Sequence, residues 1–167
     1  MSHSKIKVLL VVFFDWKRIV HHEFVPRGQM ANKQLYQEVL AHLRDAVRRK
    51  RAELWENQTW MLHHNNAPAH ASLLICSYLA KHQTFVVPHP AYSLDLAPAD
   101  FFLFPKLKTT LKGRFQNIEE IRENVIRELH TITESAFQEA FQHCKKCWEQ
   151  CIPSTGEYFE GTLLKIL

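Results

Sequence analysis

Long apolar runs are missing from this 167-residue chain. The segment Val8 to Phe14 is apolar throughout but stops at Asp15. It is too short to span a membrane and too quickly interrupted for a secretory leader. Glycine is scarce at 4 and proline modest at 7, which argues against long flexible linkers. Cysteine is also sparse. Of the four, Cys144, Cys147 and Cys151 crowd one stretch and Cys76 stands apart, so no even disulfide framework is visible. A reducing compartment, nuclear or cytoplasmic, is the expectation, and there the sequon Asn57-Gln58-Thr59 has no meaning. No acidic excess exists: 21 Lys and Arg face 17 Asp and Glu, for a formal net charge of +4. That balance suits a polyanion such as nucleic acid without selecting one.

What is present is ordinary globular material, 46% hydrophobic and 23% charged, enough for one domain over residues 1–167. Val8 to Phe14 reads as a buried strand, and Ile19 to Val25 as its hairpin partner across Asp15-Trp16-Lys17-Arg18. From Lys33 to Arg51, Leu35, Val39, Leu43 and Val47 recur every four residues and predict a helix with one apolar stripe. Trp60 to His63 reads as a short strand, Ala69 to Lys81 as a helix, and Phe85 to Val87 as a strand stopped by Pro88. A proline-punctuated loop, His89 to Pro98, leads into a short apolar helix opened by Asp100. Two further helices are expected, Ile118 to Thr131 after Asn117 and Ser135 to Cys151 before Pro153. The order implies an α/β layer arrangement around a mixed sheet.

Chemistry concentrates in two places. His63-His64-Asn65-Asn66-Ala67-Pro68-Ala69-His70 sits where a strand ends and a helix begins, a position where α/β folds build sites. Three histidines there could ligate a metal, but without carboxylate or thiolate at matching spacing a zinc site is not favoured over polar residues leaving a strand. In the second place, Asp100 is read from composition as a helix N-cap. The thiols Cys144, Cys147 and Cys151 share one helix face, with His143 expected to point elsewhere, and read as buried core groups.

The phrases Leu62-His63-His64-Asn65-Asn66-Ala67-Pro68-Ala69-His70 and Tyr92-Ser93-Leu94-Asp95-Leu96-Ala97-Pro98-Ala99-Asp100 resemble two motifs of the mariner-type (Tc1/mariner) transposases. In that family a catalytic Asp precedes Asn-Ala-x-x-His, and a second phrase reads Tyr-Ser-Pro-Asp-Leu-Ala-Pro-Ser-Asp. The family separates its second and third catalytic Asp by 34 residues, and 34 residues also lie between Asn65 and Asp100. Val11 to Lys17, Val25 to Gln29, Trp148 to Ile152 and Gly156 to Gly161 are similar to further family segments, so the resemblance covers nearly the whole chain.

The resemblance implies an RNase H-like DDE fold. It also implies metal-dependent DNA cleavage and strand transfer, with three carboxylates holding two Mg²⁺ or Mn²⁺ ions ~3.5–4 Å apart across an in-line phosphoryl displacement. Two departures set the expectation of a pseudoenzyme. The second Asp is Asn65, a neutral ligand that bridges two cations poorly. The first Asp belongs to the family's first strand, which the chain is expected to start too late to include. Asp15 matches a non-catalytic family position, leaving Asp100 as the one carboxylate. Ala91 and Leu94 stand where the family often has proline. The same alignment predicts a sheet without its central first strand, with Val8–Phe14 and Trp60–His63 left unpaired and prone to aggregate. The helix-turn-helix modules of the family are expected to be absent, and specific DNA recognition with them.

Non-specific DNA contact is the partner expectation, carried by Lys106, Lys108, Lys112 and Arg114. Arg44, Arg48, Arg49, Lys50 and Arg51 form a second basic cluster, read first as a solvated helix end. No small-molecule substrate is expected. Two other readings stand beside the inactive DNA-binding remnant. One is an endonuclease that recruits a substitute carboxylate such as Asp95. The other is a non-enzymatic interaction protein that forms a homodimer through the sheet edge or the C-terminal helices.

Overall fold

The computed structural model describes residues 9–25, 32–63, 69–87, 98–110, 117–151 and 162–166; at 100, 110, 148–151 and 162–166 it describes the backbone alone. Strands β1 (Leu10–Phe14) and β2 (Ile19–Phe24) form an antiparallel hairpin, pairing Leu10 with Phe24 and Phe13 with His21. Helix α1 (Lys33–Lys50) follows, with the Asn32 side chain accepting a 2.9 Å hydrogen bond from the Leu35 amide. A break at Arg51 starts the separate short helix α2 (Ala52–Asn57), which ends at Gln58 with a positive φ of 52°. Strand β3 (Met61–His63), helix α3 (Leu73–Lys81) and strand β4 (Phe85–Val86) complete the middle of the chain. Helix α3 starts four residues later than the sequence pattern suggests, because the Ser72 hydroxyl caps it through the Ile75 amide.

Beyond a π-helical turn at Ala99–Leu103 come α4 (Phe104–Thr110), α5 (Ile118–Thr131) and α6 (Glu134–Cys151). Asn117 caps α5, its side chain accepting from the Glu120 amide at 2.8 Å. No helix among the described residues is long and apolar enough to cross a membrane.

The sheet corrects one expectation. Strand β5 (Thr162–Ile166) lies between β1 and β3, giving the order β2-β1-β5-β3-β4. It runs antiparallel to β1, with Phe14 opposite Leu164, and parallel to β3, with His63 opposite Leu164. The slot expected to be empty is therefore filled, and the inner edges of β1 and β3 are both hydrogen-bonded. Segment 162–166 holds one charge among apolar residues and no proline or glycine, so it meets the local requirements of an inner strand.

Both faces of the sheet are covered. Along β1, Val11 and Phe13 point to one side, where Tyr36, Val39, Leu40, Leu43 and Val47 of α1 and Ile75 and Leu79 of α3 close the core. Val12 and Phe14 point to the other, against Leu103, Leu107, Val125, Leu129 and Phe137. Such double burial explains why the strand reads as an uninterrupted apolar run rather than an alternating one. Phe13 and Phe14 are both wholly removed from water, each worth ~1.5–3 kcal/mol.

Candidate catalytic edge and basic surface

The edge where the motif residues converge is built from the end of β3 and the turn carrying Asp100. His63, the last residue of β3, is buried, and Asn65 lies two positions on, outside the described residues, as do His64 and Asp95. The Ala99–Leu103 turn is drawn onto this edge by Phe101, which packs with Met61 of β3 and with Val87, Cys144 and Cys147. The same turn packs against β5. Ala99 and Leu103 are buried against Val12 and Phe14 on the face that α5 and α6 cover. Asp100 is not the N-cap that composition suggests. Pro98 holds that position and Asp100 is the second residue inside the turn. The fold thus carries the backbone of Asp100 to the side of the sheet where Met61 of β3 lies.

His70, the last residue of the first motif, is only 2% exposed and faces inward. Its ring lies 4.2 Å from that of Tyr36, whose phenol burial holds well above its ordinary pKa. His70 therefore packs into the α1 side of the core. Asp15 is also structural. It is fully buried and its Oδ1 accepts from the backbone amides of Lys17 and Arg18, which shapes the β1–β2 turn. Arg51 neutralises it. Among the three thiols expected to be buried, Cys144 is, Cys147 is only partly so, and the side chain of Cys151 lies outside the described ones. His143 does not point away from them: its Nε2 is 3.7 Å from the Cys147 sulfur, and its ring meets Phe101 edge-on at 4.9 Å.

The two basic clusters separate clearly. Arg48 and Arg49 both bind Asp45, whose carboxyl they hold below its usual range. Lys50 donates to the Val20 carbonyl, and Arg51 is committed to Asp15. Arg44 donates to the His82 carbonyl and the Thr84 hydroxyl while stacking over Trp55. The α1 cluster is thus bound up in internal contacts. Lys106 and Lys108 project from α4 as exposed residues, as Arg48 and Arg49 do from α1, with Lys106 lying over the Phe102 ring at 5.1 Å. Lys112 and Arg114 lie outside the described residues. A grouping that sequence reading did not single out is His21, Glu23 and His42, which converge from β2 and α1. Its only signal was the His-x-Glu alternation of a strand.

Comparison with known proteins places these observations. A family model described as "Transposase (partial DDE domain)" matches residues 1–57. The Mariner Mos1 transposase of Drosophila mauritiana is 31% identical over 156 residues, covering 92% of this chain and 45% of the relative, so the chain spans about half its length. The crystal structure of the catalytic domain of Mos1 superposes with a TM-score of 0.80 at 30% identity, covering 91% of this chain and 76% of that one. A crystal structure of the Mos1 mariner paired end complex with Mn superposes with a TM-score of 0.81 at 29% identity, covering 95% and 47% of the two chains. Taken with the two motifs, the sheet and the helix carrying Asp100, these matches show that the chain belongs to the mariner-type transposases, with the RNase H-like fold of their catalytic domain.

Proposed function

We propose that this chain is a transposase-derived DNA-binding protein without cleavage or strand-transfer activity, a pseudoenzyme of its family. One observation carries the reading: the strand in the central slot, Thr162–Ile166, contains no Asp or Glu. The resemblance assigns the first metal-binding carboxylate to the strand at that place. The second position is Asn65, so the three family metal-binding positions bring one carboxylate, Asp100, and one neutral amide. That donor set does not fit two divalent cations, which require anionic oxygen to bridge them.

DNA contact is carried by the exposed face of α4. Lys106 and Lys108 are exposed there, six and eight positions beyond Asp100. Phosphate contacts of this kind position a protein on DNA without reading sequence, so the affinity is expected to be non-specific and salt-dependent. The paired end complex of the relative suggests that self-association accompanies DNA binding, and a homodimer is part of the same proposal.

Supercoiled plasmid incubated with the protein and Mn²⁺ or Mg²⁺ tests the reading. Intact supercoiled DNA is the expected result. Nicking by the purified chain that Asp100→Ala abolishes would overturn it.

A further inference from the structure

The strand β2 and the helix α1 bring three ligating side chains to one point on the opposite edge of the sheet. His21 and Glu23 are two apart on β2 and so share a face, the one that Val11 and Phe13 present to α1. His42 reaches over from α1. The Nε2 of His21 is 2.8 Å from Oε1 of Glu23, and the Nδ1 of His42 meets the same oxygen. All three donor atoms lie within 4.8 Å of one another. The rings are held as well as the donors. His21 stacks on Phe13 with centroids 6.5 Å apart, and His42 meets His21 edge-on at 6.2 Å.

We propose that His21, Glu23 and His42 form a zinc site that clasps β2 to α1. Two imidazoles and one carboxylate are a ligand set that zinc accepts with a fourth position left open. Metal–ligand bonds of about 2.0–2.2 Å require donors roughly 3.3–3.5 Å apart around a tetrahedral ion. The three donors, all within 4.8 Å of one another, lie close to that spacing. Imidazole nitrogen selects zinc and its late transition-metal neighbours over magnesium, which prefers all-oxygen coordination. One carboxylate leaves the bound ion with a net positive charge, so the open position takes water or an anion. Access is from solvent: the His42 side chain is 60% exposed, against 19% for His21 and 24% for Glu23. The site is separate from the motif edge, since β2 is the outer strand and two strands stand between it and β3.

Calorimetric titration of the metal-free full chain with zinc chloride tests this, paired with Co²⁺ absorption. One equivalent of zinc is expected to bind, with His42→Ala and Glu23→Gln each weakening it at least tenfold. His42 is exposed, so His42→Ala retains the fold, which circular dichroism verifies in the same samples. The Co²⁺ complex is expected to show d–d bands without a thiolate charge-transfer band. Absence of zinc binding overturns the proposal. So does affinity unchanged in both variants, or a thiolate band, which would place the metal at Cys144 and Cys147 instead.

Discussion

Arg51 grips the fully buried Asp15 at two points, its Nε 2.6 Å from Oδ2 and its Nη2 3.1 Å from Oδ1. The pair ties the residue that ends α1 to the turn between β1 and β2, 36 positions away in sequence. Removing one partner leaves a buried charge without compensation, which costs far more than the pair itself contributes. Arg51→Ala is expected to lower the unfolding free energy by ~3 kcal/mol, measured by urea denaturation. Asp15→Asn should cost less, and the double variant should cost less than the two single effects summed. Additive losses would mean the two residues act independently.

The central strand invites a direct test. Leu164 is paired on both sides, to Phe14 and to His63, so a proline there removes ladder hydrogen bonds from the middle of the sheet. Leu164→Pro is expected to cost at least ~3 kcal/mol and to broaden the urea transition followed by tryptophan fluorescence. Trp60, buried just before β3, should report the change. An unaltered midpoint would exclude β5 from the folded sheet in solution.

Stability should depend on pH through His22. Burial holds its pKa below the ordinary imidazole value of 6.5, with His21, Lys50 and His130 acting in the same direction and Glu23 opposing them. The unfolded chain therefore takes up this proton first, and folding loses stability as pH falls below about 6.5 towards the folded-state value. His22→Gln should flatten the decline in stability between pH 7 and pH 5. A smaller slope of the same sign should remain from His82, whose pKa desolvation and the charges of Arg44 and Lys81 also lower. Equal slopes in both proteins would rule out His22 as the source.

For DNA, the contrast between the two basic clusters gives opposite expectations. Lys106→Ala and Lys108→Ala should each weaken binding to any duplex and reduce the slope of log affinity against log salt by about 1. Arg48→Ala should leave both quantities unchanged, because Asp45 already holds that guanidinium. Fluorescence anisotropy over a salt series distinguishes the outcomes, and an Arg48 effect as large as that of Lys106 would count against α4 as the contact surface.

Local signals carried much of this structure into view beforehand. The β1–β2 hairpin, α1, α5 and α6 follow from apolar periodicity and from caps such as Asn117, which act within a few residues. Buried thiols at Cys144 followed from the same helical spacing. Two features did not follow. Strand β5 is five residues whose meaning lies in pairing with partners around residues 12–14 and 61–63, and neither periodicity nor composition reports such distant pairing. The family order of strands leaves that slot open, and a distant C-terminal segment fills it. The environments of Arg51 and His143 were also hidden, since a charge on a helix does not announce whether a buried carboxylate or a thiol stands opposite.

The position of β5 has a consequence for biosynthesis. Every other strand of the sheet emerges from the ribosome before Val87, yet β1 and β3 have no hydrogen-bonded link between them until Thr162–Ile166 is made. Between the making of Val86 and of Thr162 the nascent chain therefore carries two unjoined half-sheets, with the inner edges of β1 and β3 unpaired. Closure waits for that segment, which joins β1 to β3, and chaperone occupancy on the nascent chain should fall only after it leaves the exit tunnel.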